Sequence, residues 1–569
     1  MVLEENRRAM TWLVIGASLI TLFFWSNLYD PFNAPKSWIL SISGFWLLGW
    51  LIFQVRTQTK LQPLKWATLL SGVYLFTLFI AFLATDEKYI GLFGDYQRRT
   101  GLLSYLCLIS FFLAASYLVN LRNISLFENA ILFVGLTTAL YGIAQHFNID
   151  FVRWNNPYNS VIGTLGNPDF AAALMAIFLI LNFGIAIQKK YVTWARVAAG
   201  LITLLLLIAI TFSQARQGLL VSGFGVTVVI LVAIYQRSKV TPRSATGVFA
   251  ILIILGTIGI LNKGPFAKYL YKTSVSLRGY YWRAGMRMFI HHPIFGVGLD
   301  RYGASYRPYR EAGQIAKTGP SVVSNAAHNI PIQLAATGGI FVLLGFLALT
   351  SFIFYRGVVA LRTTTGAHQI TVASIFAAWL AYQGQSLISI DNLGIAIWGY
   401  VLGGIVVGIS LGLGDAKTAQ EKRSLVQPLV STTLALFMFA VSALFFEAES
   451  AAKSVSGLGI PRTQSERAGY EQAVQKPLNY VFQEPKFEFT VAATLAQAGD
   501  FGAAQNHLSK MLKTDPKNFD ALELQARVYE SQRNWVKASQ IRKVMMNLDP
   551  FNPDVRSQLE ADIKSSGVK

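Results

Sequence analysis

Along most of this chain, polar residues come in short clusters that separate long apolar runs. The runs fall at Met10–Trp25, Trp38–Val55, Leu64–Ala84, Leu102–Val119, Ala130–Phe147, Phe170–Ile187, Val197–Phe212 and Leu219–Tyr235. They continue at Gly247–Leu261, Ile332–Tyr355, Thr371–Ile388, Leu393–Leu413 and Val430–Phe446. Each approaches the roughly 20 residues that a helix needs to cross a bilayer. The pattern predicts an all-α, polytopic membrane protein of about 13 transmembrane helices. The first run is not read as a cleavable signal, because so many spans follow it.

After Phe446 the long runs stop and amphipathic helical patterning begins. "GDFGAAQNHLSKMLKTDP" aligns with "RNWVKASQIRKVMMNLDP", matching Phe501 with Trp535, Ala504 with Ala538, Met511 with Met545 and Pro516 with Pro550. That spacing, about 34 residues, is the period of a tetratricopeptide repeat. "YEQAVQKPLNYVFQEP" reads as a linker or a degenerate third copy. The expected division is a transmembrane unit at 1–447 with a long connection at 263–330, a linker at 448–485 and repeats at 486–569. Repeats of this kind stack helix pairs and present a surface, so a protein or polymer partner is expected for the tail; the plainer alternative is a self-contained cap.

Charge changes the picture in one respect. The chain carries 49 Lys and Arg against 29 Asp and Glu, a formal net charge of +20, with only 14% of residues charged and 53% hydrophobic. A cytoplasmic N-terminus bearing Arg7 and Arg8 puts most basic loops on the cytoplasmic side, including Arg56, Lys60, Lys189, Lys190, Arg237 and Lys239. The positive-inside bias therefore accounts for much of the charge, and no nucleic-acid partner is expected. An odd span count then leaves the tail outside. Cys107 is the single cysteine, which excludes a disulfide framework or a cysteine metal cluster.

Some arginines do not fit that bias. Arg98 and Arg99 in "FGDYQRRTG", Arg153 in "FVRWNNP" and Arg216 in "FSQARQGLL" fall on outward connections. The long connection adds Arg278, Arg283, Arg287, Arg301, Arg307 and Arg310, and ends at His328. A connection of that length is usually functional or structured. Its middle, "RGYYWRAGMRMFIHHP", interleaves aromatics and Met with arginines as an interfacial helix would. Arg216, with almost no loop around it, either snorkels to lipid phosphate or belongs to an anion site. The guanidinium fork suits a pyrophosphate, since it can hold two oxygens at once.

The doorstep of the tenth span, "SNAAHNIPIQ", holds His328 and Asn329. His328 either caps the helix or supplies a base of near-neutral intrinsic pKa. Asn329 could orient the imidazole or a substrate. Asp30 in "YDPFNAPK" and Asp391 are outward carboxylates near span ends, suited to orient an arginine, to bind acceptor, or to structure alone. His291 and His292 precede Pro293 and end the interfacial helix, so no metal or cofactor is expected there. "GVGLDRYG" follows no strand and is not a nucleotide loop.

Four stretches in order carry a resemblance. "LRGYYWRAGMRMFIHHPIFGVGLDRYGASY", followed by "AAHNIPIQLAATGGIFVLLGFL", resembles the core signature of the O-antigen ligase and polymerase superfamily. "GTLGNPDFAAALM", "TFSQARQGLLV" and "LFGDYQRRTGLL" resemble three further motifs of these proteins, over about Leu92 to Val406. The resemblance implies a bacterial inner-membrane glycosyltransferase of GT-C-like architecture, working without a metal or cofactor. It further implies transfer of a glycan from an undecaprenyl-pyrophosphate carrier, at the periplasmic face, to a lipid, glycan or protein hydroxyl. Carried onto matching positions, Arg216 and Arg278 would hold the pyrophosphate and His328 would assist the acceptor. Arg98, Arg99, Arg283, Asn167, Asn329, Asp30 and Asp391 are the expected substrate contacts around them. The chain departs from the family pattern at Asp169, where Asn is usual, and at Ala215, where Ser precedes the arginine.

Ligase, polymerase and protein oligosaccharyltransferase share this donor chemistry and differ in acceptor. A flippase for lipid-linked sugars would need charges deep within several spans, and the span interiors hold almost none. A scaffold displaying the repeats would leave the arginine-rich connection without a purpose.

Overall fold

The computed structural model describes residues 2–58, 62–158, 160–237, 273–411, 426–461, 464–481 and 484–567, and these are helical, with no strand among them. The expected span Gly247–Leu261 and the start of the long connection lie outside the described residues. The other twelve expected runs each coincide with a helix. In chain order these are α1 (Val2–Leu22), α2 (Asn33–Gln58), α3 (Gln62–Ala84), then, after the short α4 (Lys88–Phe93), α5 (Leu102–Leu118) and α6 (Ser125–His146). There follow α7 (Pro168–Ile187), α8 (Thr193–Phe212), α9 (Arg216–Arg237) and, in the long connection, α10 (Thr273–His291), α11 (Tyr302–Ser305) and α12 (Ala312–Thr318). The bundle closes with α13 (Ile330–Thr363), α14 (Ala367–Ser386), α15 (Leu393–Ile409) and α16 (Val426–Val455). Among the described residues, eight helices (α2, α3, α6, α7, α8, α9, α13 and α16) are long and apolar enough to cross a membrane.

The bundle is organised around α15. All of its residues are buried, in keeping with a helix apolar on every face, and it packs on α5, α14, α1 and α13. Gly404 and Gly408, four apart on one face, let its backbone touch that of α5; a Cβ at Gly404 would lie 2.2 Å from the Phe112 carbonyl oxygen. The Trp398 indole N–H donates to the Thr21 hydroxyl at 2.6 Å, which ties α15 to α1. At the same end of α1, Lys36 is buried and donates to the free carbonyls of Thr21 and Phe23, satisfying a helix C-terminus that water cannot reach.

Helix α16 continues unbroken into what the sequence marks as linker. Its outer turns carry Ala448 and Ala452, which pack with Phe487, and Glu449, which is needed elsewhere. Beyond it come α17 (Gln464–Gln475) and five tail helices, α18 (Pro485–Gln497), α19 (Phe501–Thr514), α20 (Phe519–Ser531), α21 (Trp535–Leu548) and α22 (Pro553–Ser566). Asp500, Asn518, Asn534 and Asn552 each cap a tail helix by accepting a backbone N–H, as the repeat turns require.

The tail is docked on the rest of the molecule through arginines of the long connection. Arg301 pairs with Asp515 at 3.3 Å, and Arg307 and Arg310 pair with Asp549 at 3.2 and 2.5 Å. Asp515 and Asp549 occupy equivalent positions in successive repeats, each just before the closing proline. Arg310 and Asp549 are fully buried, and Arg310 also donates to the carbonyls of Pro320 and Val322. A third anchor joins Arg99 to Glu449 of α16 at 2.5 Å and to Glu484 at the start of α18. Removing one partner of such a buried pair strands the other without water, at a cost of about 3–5 kcal/mol. Arg310→Ala is therefore expected to lower the thermal midpoint of the purified protein and speed proteolysis between bundle and tail. Arg283→Ala, in the exposed pair with Glu311, should change stability by less than about 1 kcal/mol.

Candidate active site

The site is built where α10, the start of α13 and the connection after α4 meet. On α10, Arg278, Tyr281 and Trp282 share one face by their spacing, and α10 packs on α13. His328 stands just before α13 with φ of 54°, a left-handed conformation uncommon for a residue with a side chain. Asn329 follows as N-cap, its Oδ1 accepting from the Ile332 N–H at 3.0 Å and its Nδ2 donating to the Leu387 carbonyl at 2.9 Å. The Trp282 indole donates to the His328 carbonyl at 3.3 Å, and the Tyr281 ring stacks on the imidazole at 5.3 Å. The residue is thus held by its carbonyl, its ring and its capping neighbour, while Nδ1 of His328 is buried with no hydrogen-bond partner. Burial, then the charges of Arg278 and Arg98, push the imidazole down to about 3, so it is neutral at working pH.

A cavity of about 20 Å³, room for about one water, lies against this imidazole. Arg98, Tyr105, Asn329, Gln333 and Asp391 line it with His328. Burial pushes the Asp391 carboxyl up to about 7, so it exchanges a proton near neutral pH. Arg98 is locked: its Nη2 meets Asp300 Oδ1 at 2.6 Å, its Nε donates to the same carboxylate at 3.0 Å, and its Nη1 donates to the Asn325 carbonyl. Asp300 also accepts from the backbone N–H groups of Asp95 and Thr100, so one carboxylate fastens the 95–100 connection to the long one.

A second cluster adjoins the first through Arg278. Its Nη2 lies 3.4 Å from both Asp169 Oδ2 and Gln217 Oε1, long contacts that a stronger acceptor could replace. Asn167 caps α7 by accepting from the Asp169 N–H at 2.9 Å, and Gln217 donates to the Asp169 carbonyl at 3.0 Å. Gln214, at φ of 57°, turns the chain so that Arg216 begins α9 beside Gln217. Arg278 is itself buried, which lowers its pKa and leaves a desolvated cation with loosely held partners.

The sequence-derived residues therefore separate. His328, Arg98, Asn329 and Asp391 share one cavity, while Arg278 and Asn167 meet through Asp169 at the adjoining cluster, and Arg216 begins α9 one residue before Gln217. Arg99 points instead into the tail anchor. Arg283 holds Glu311 through two bonds of 2.9 Å, with Arg287 on the same carboxylate. Asp30 accepts from the N–H groups of Phe32, Asn33 and Ala34, and its own N–H donates to Glu449, so it starts α2 and braces the anchor. Sequence reading missed Asp300, Gln217, Gln333 and Tyr281; the question of what neutralises Arg98 would have pointed to Asp300.

The motif around Pro293 has a mechanical role. Helix α13 is broken at Gly339, with φ of 77° and ψ of −171°. The turn after α10 plugs this break: the Ile340 N–H donates to the Pro293 carbonyl and the Val297 N–H to that of Ala336, both at 2.8 Å. The segment that begins at His328 is thereby keyed to α10.

Residues 201–347 match the family described as O-antigen ligase. This chain carries an O-antigen ligase domain. The match takes in Arg216, Gln217, Arg278, His328, Asn329 and Gly339, so both clusters draw residues from it. Residues 495–563 match the tetratricopeptide repeat. No curated protein matches the chain. The ligase domain and its apolar helices make this a multi-pass bacterial membrane protein with a glycosyl-transfer role in O-antigen or polysaccharide assembly. Within the ligase domain, a Cβ at position 339 would fall 2.1 Å from the Ile294 carbonyl oxygen. Gly339→Ala is expected to abolish transfer by unkeying His328 from α10, with helix content retained by circular dichroism.

Proposed function

We propose that the protein transfers a glycan from an undecaprenyl-pyrophosphate carrier to a hydroxyl of a lipid, glycan or protein acceptor at the periplasmic face of the inner membrane, with its N-terminus in the cytoplasm. The observation that carries this reading is the buried, unpartnered imidazole nitrogen of His328 beside the loosely held Arg278. Arg278 and Arg216 would grip the pyrophosphate, with Gln217 and Asn167 beside them. The acceptor oxygen attacks the anomeric carbon, the bond from that carbon to the pyrophosphate oxygen breaks, and the leaving group departs with the electron pair. The acceptor proton passes to Nδ1 of His328. Charge brought by the pyrophosphate offsets the two arginines that depress the imidazole, so the base strengthens when donor is bound. Arg98, held rigid, supplies a fixed positive field, and Asp391 orients the acceptor hydroxyl.

Purified protein given lipid-linked glycan and candidate acceptors tests this. His328→Ala should lower kcat about 10²–10⁴-fold, and Arg278→Ala about 10²–10³-fold. Unimpaired transfer in both variants would sink the assignment, and the productive acceptor separates ligase from polymerase or protein glycosylation. The pH profile gives a separate check. His328, neutral above about 3, contributes no acid limb between pH 5 and 8. Asp391 is protonated below about 7, so kcat/KM should fall as pH drops through 7, and Asp391→Asn should remove that limb.

A further inference from the structure

The tail does more than dock: together with the bundle it encloses a cleft of about 330 Å³. One wall is the connection at Gly94, Tyr96 and Gln97; another is Ala304, Arg307 and Asn325; the third is tail, with Lys486, Phe489 and the 515–520 turn. We propose that this cleft binds the glycan chain of a substrate, holding sugars beyond the reacting one. The inference rests on the glycosyl-transfer reading above and names the substrate part that the tail recognises.

Three observations favour a glycan over a peptide. The first is charge: of the four carboxylates on the walls, three lie against arginines and the fourth, Asp95, accepts the Gln97 N–H at 3.0 Å. Glu484 and Asp515 are taken by Arg99 and Arg301, and Asp520 lies 3.8 Å from Arg307. Lys486 sits over the rings of Tyr96 and Phe489 at 5.6 and 4.6 Å, and Arg307 over Phe519 at 3.7 Å. The second is the neutral polar lining: beside the charged Lys517, the Tyr96 hydroxyl and the amides of Gln97, Asn325 and Asn518 match the hydroxyls of a sugar. Ring faces beside them suit the C–H faces of pyranoses. The third is position. The side chain of Asn325 donates to that of Gln97 to form the wall, and the next residue after Gln97 is Arg98, which bonds the Asn325 carbonyl and lines the His328 cavity. A chain lying in the cleft leads to the reaction centre. Sites of this kind favour the junction of two structural units.

The full-length protein in detergent should bind free oligosaccharide released by mild acid from lipid-linked donors, as read by isothermal titration calorimetry. Ala304 is exposed, so Ala304→Trp fills the cleft without disturbing a core. It should weaken binding at least tenfold with its melting temperature unchanged, and Tyr96→Ala should weaken it severalfold. His328→Ala should bind as wild type does, so binding is read apart from transfer. Two kinetic arms identify the source. A KM advantage of longer donor glycans, lost in Ala304→Trp, assigns the cleft to the donor; the same dependence on acceptor length assigns it to the acceptor. Equal binding by wild type and Ala304→Trp, no binding by wild type, or displacement only by a serine- and threonine-rich peptide would overturn the proposal.

Discussion

An arginine removed from water must find a counter-charge, and that requirement organises the tail-side face of this molecule. Burying a guanidinium alone is prohibitive, so each buried arginine there fixes the position of a carboxylate from a distant part of the chain. Arg98 brings Asp300 to the 95–100 connection, Arg99 brings Glu449 and Glu484, and Arg310 brings Asp549. These pairs knit the α4–α5 connection, the long connection, the end of α16 and the repeats into one surface. Arg278 is the instructive exception, because its contacts to Asp169 and Gln217 are long. The closest pairs, at Arg98, Arg99 and Arg310, hold the structure, and the pairing at Arg278 is looser.

Helix ends do the finer positioning. Asn167, Asn329 and Asn392 cap α7, α13 and α15 by accepting backbone N–H groups, and their amides reach across to other elements. Backbone strain gathers on the same face: Arg99, Gln214, Asp300 and His328 all adopt positive φ. Such conformations persist only where the surroundings over-determine them. Here the surroundings are the ion pairs just described, together with the broken helix α13 and its plug. The neutral imidazole is thus held by contacts to its backbone and ring rather than through Nδ1.

Much of this was legible in advance. Apolar runs reported the helices of the bundle because crossing a membrane demands length and continuity, both local properties. The 34-residue period reported the repeats for the same reason, since each repeat is a local unit. His328, Arg278 and Arg216 stood out because their types are unusual where they occur. Arg99, Arg283 and Asp30 looked similar on that criterion, yet the structure turns them to the tail anchor, to Glu311 and to the start of α2. The break at Gly339 was hidden inside an apolar run, where a Gly-Gly pair is unremarkable until another segment is seen to fill it.

The sequence by itself determined what depends on neighbours along the chain: the helices, the repeat tail and the residue types able to do the chemistry. Tertiary structure alone decided which charges meet. Asp549 lies 239 residues from Arg310, and Glu484 lies 385 from Arg99. No local periodicity encodes a pairing at that distance, because it follows from how the elements pack and from which charges that packing strips of water. The same packing decided that Arg278, beside His328, meets Asp169 and Gln217 only at 3.4 Å.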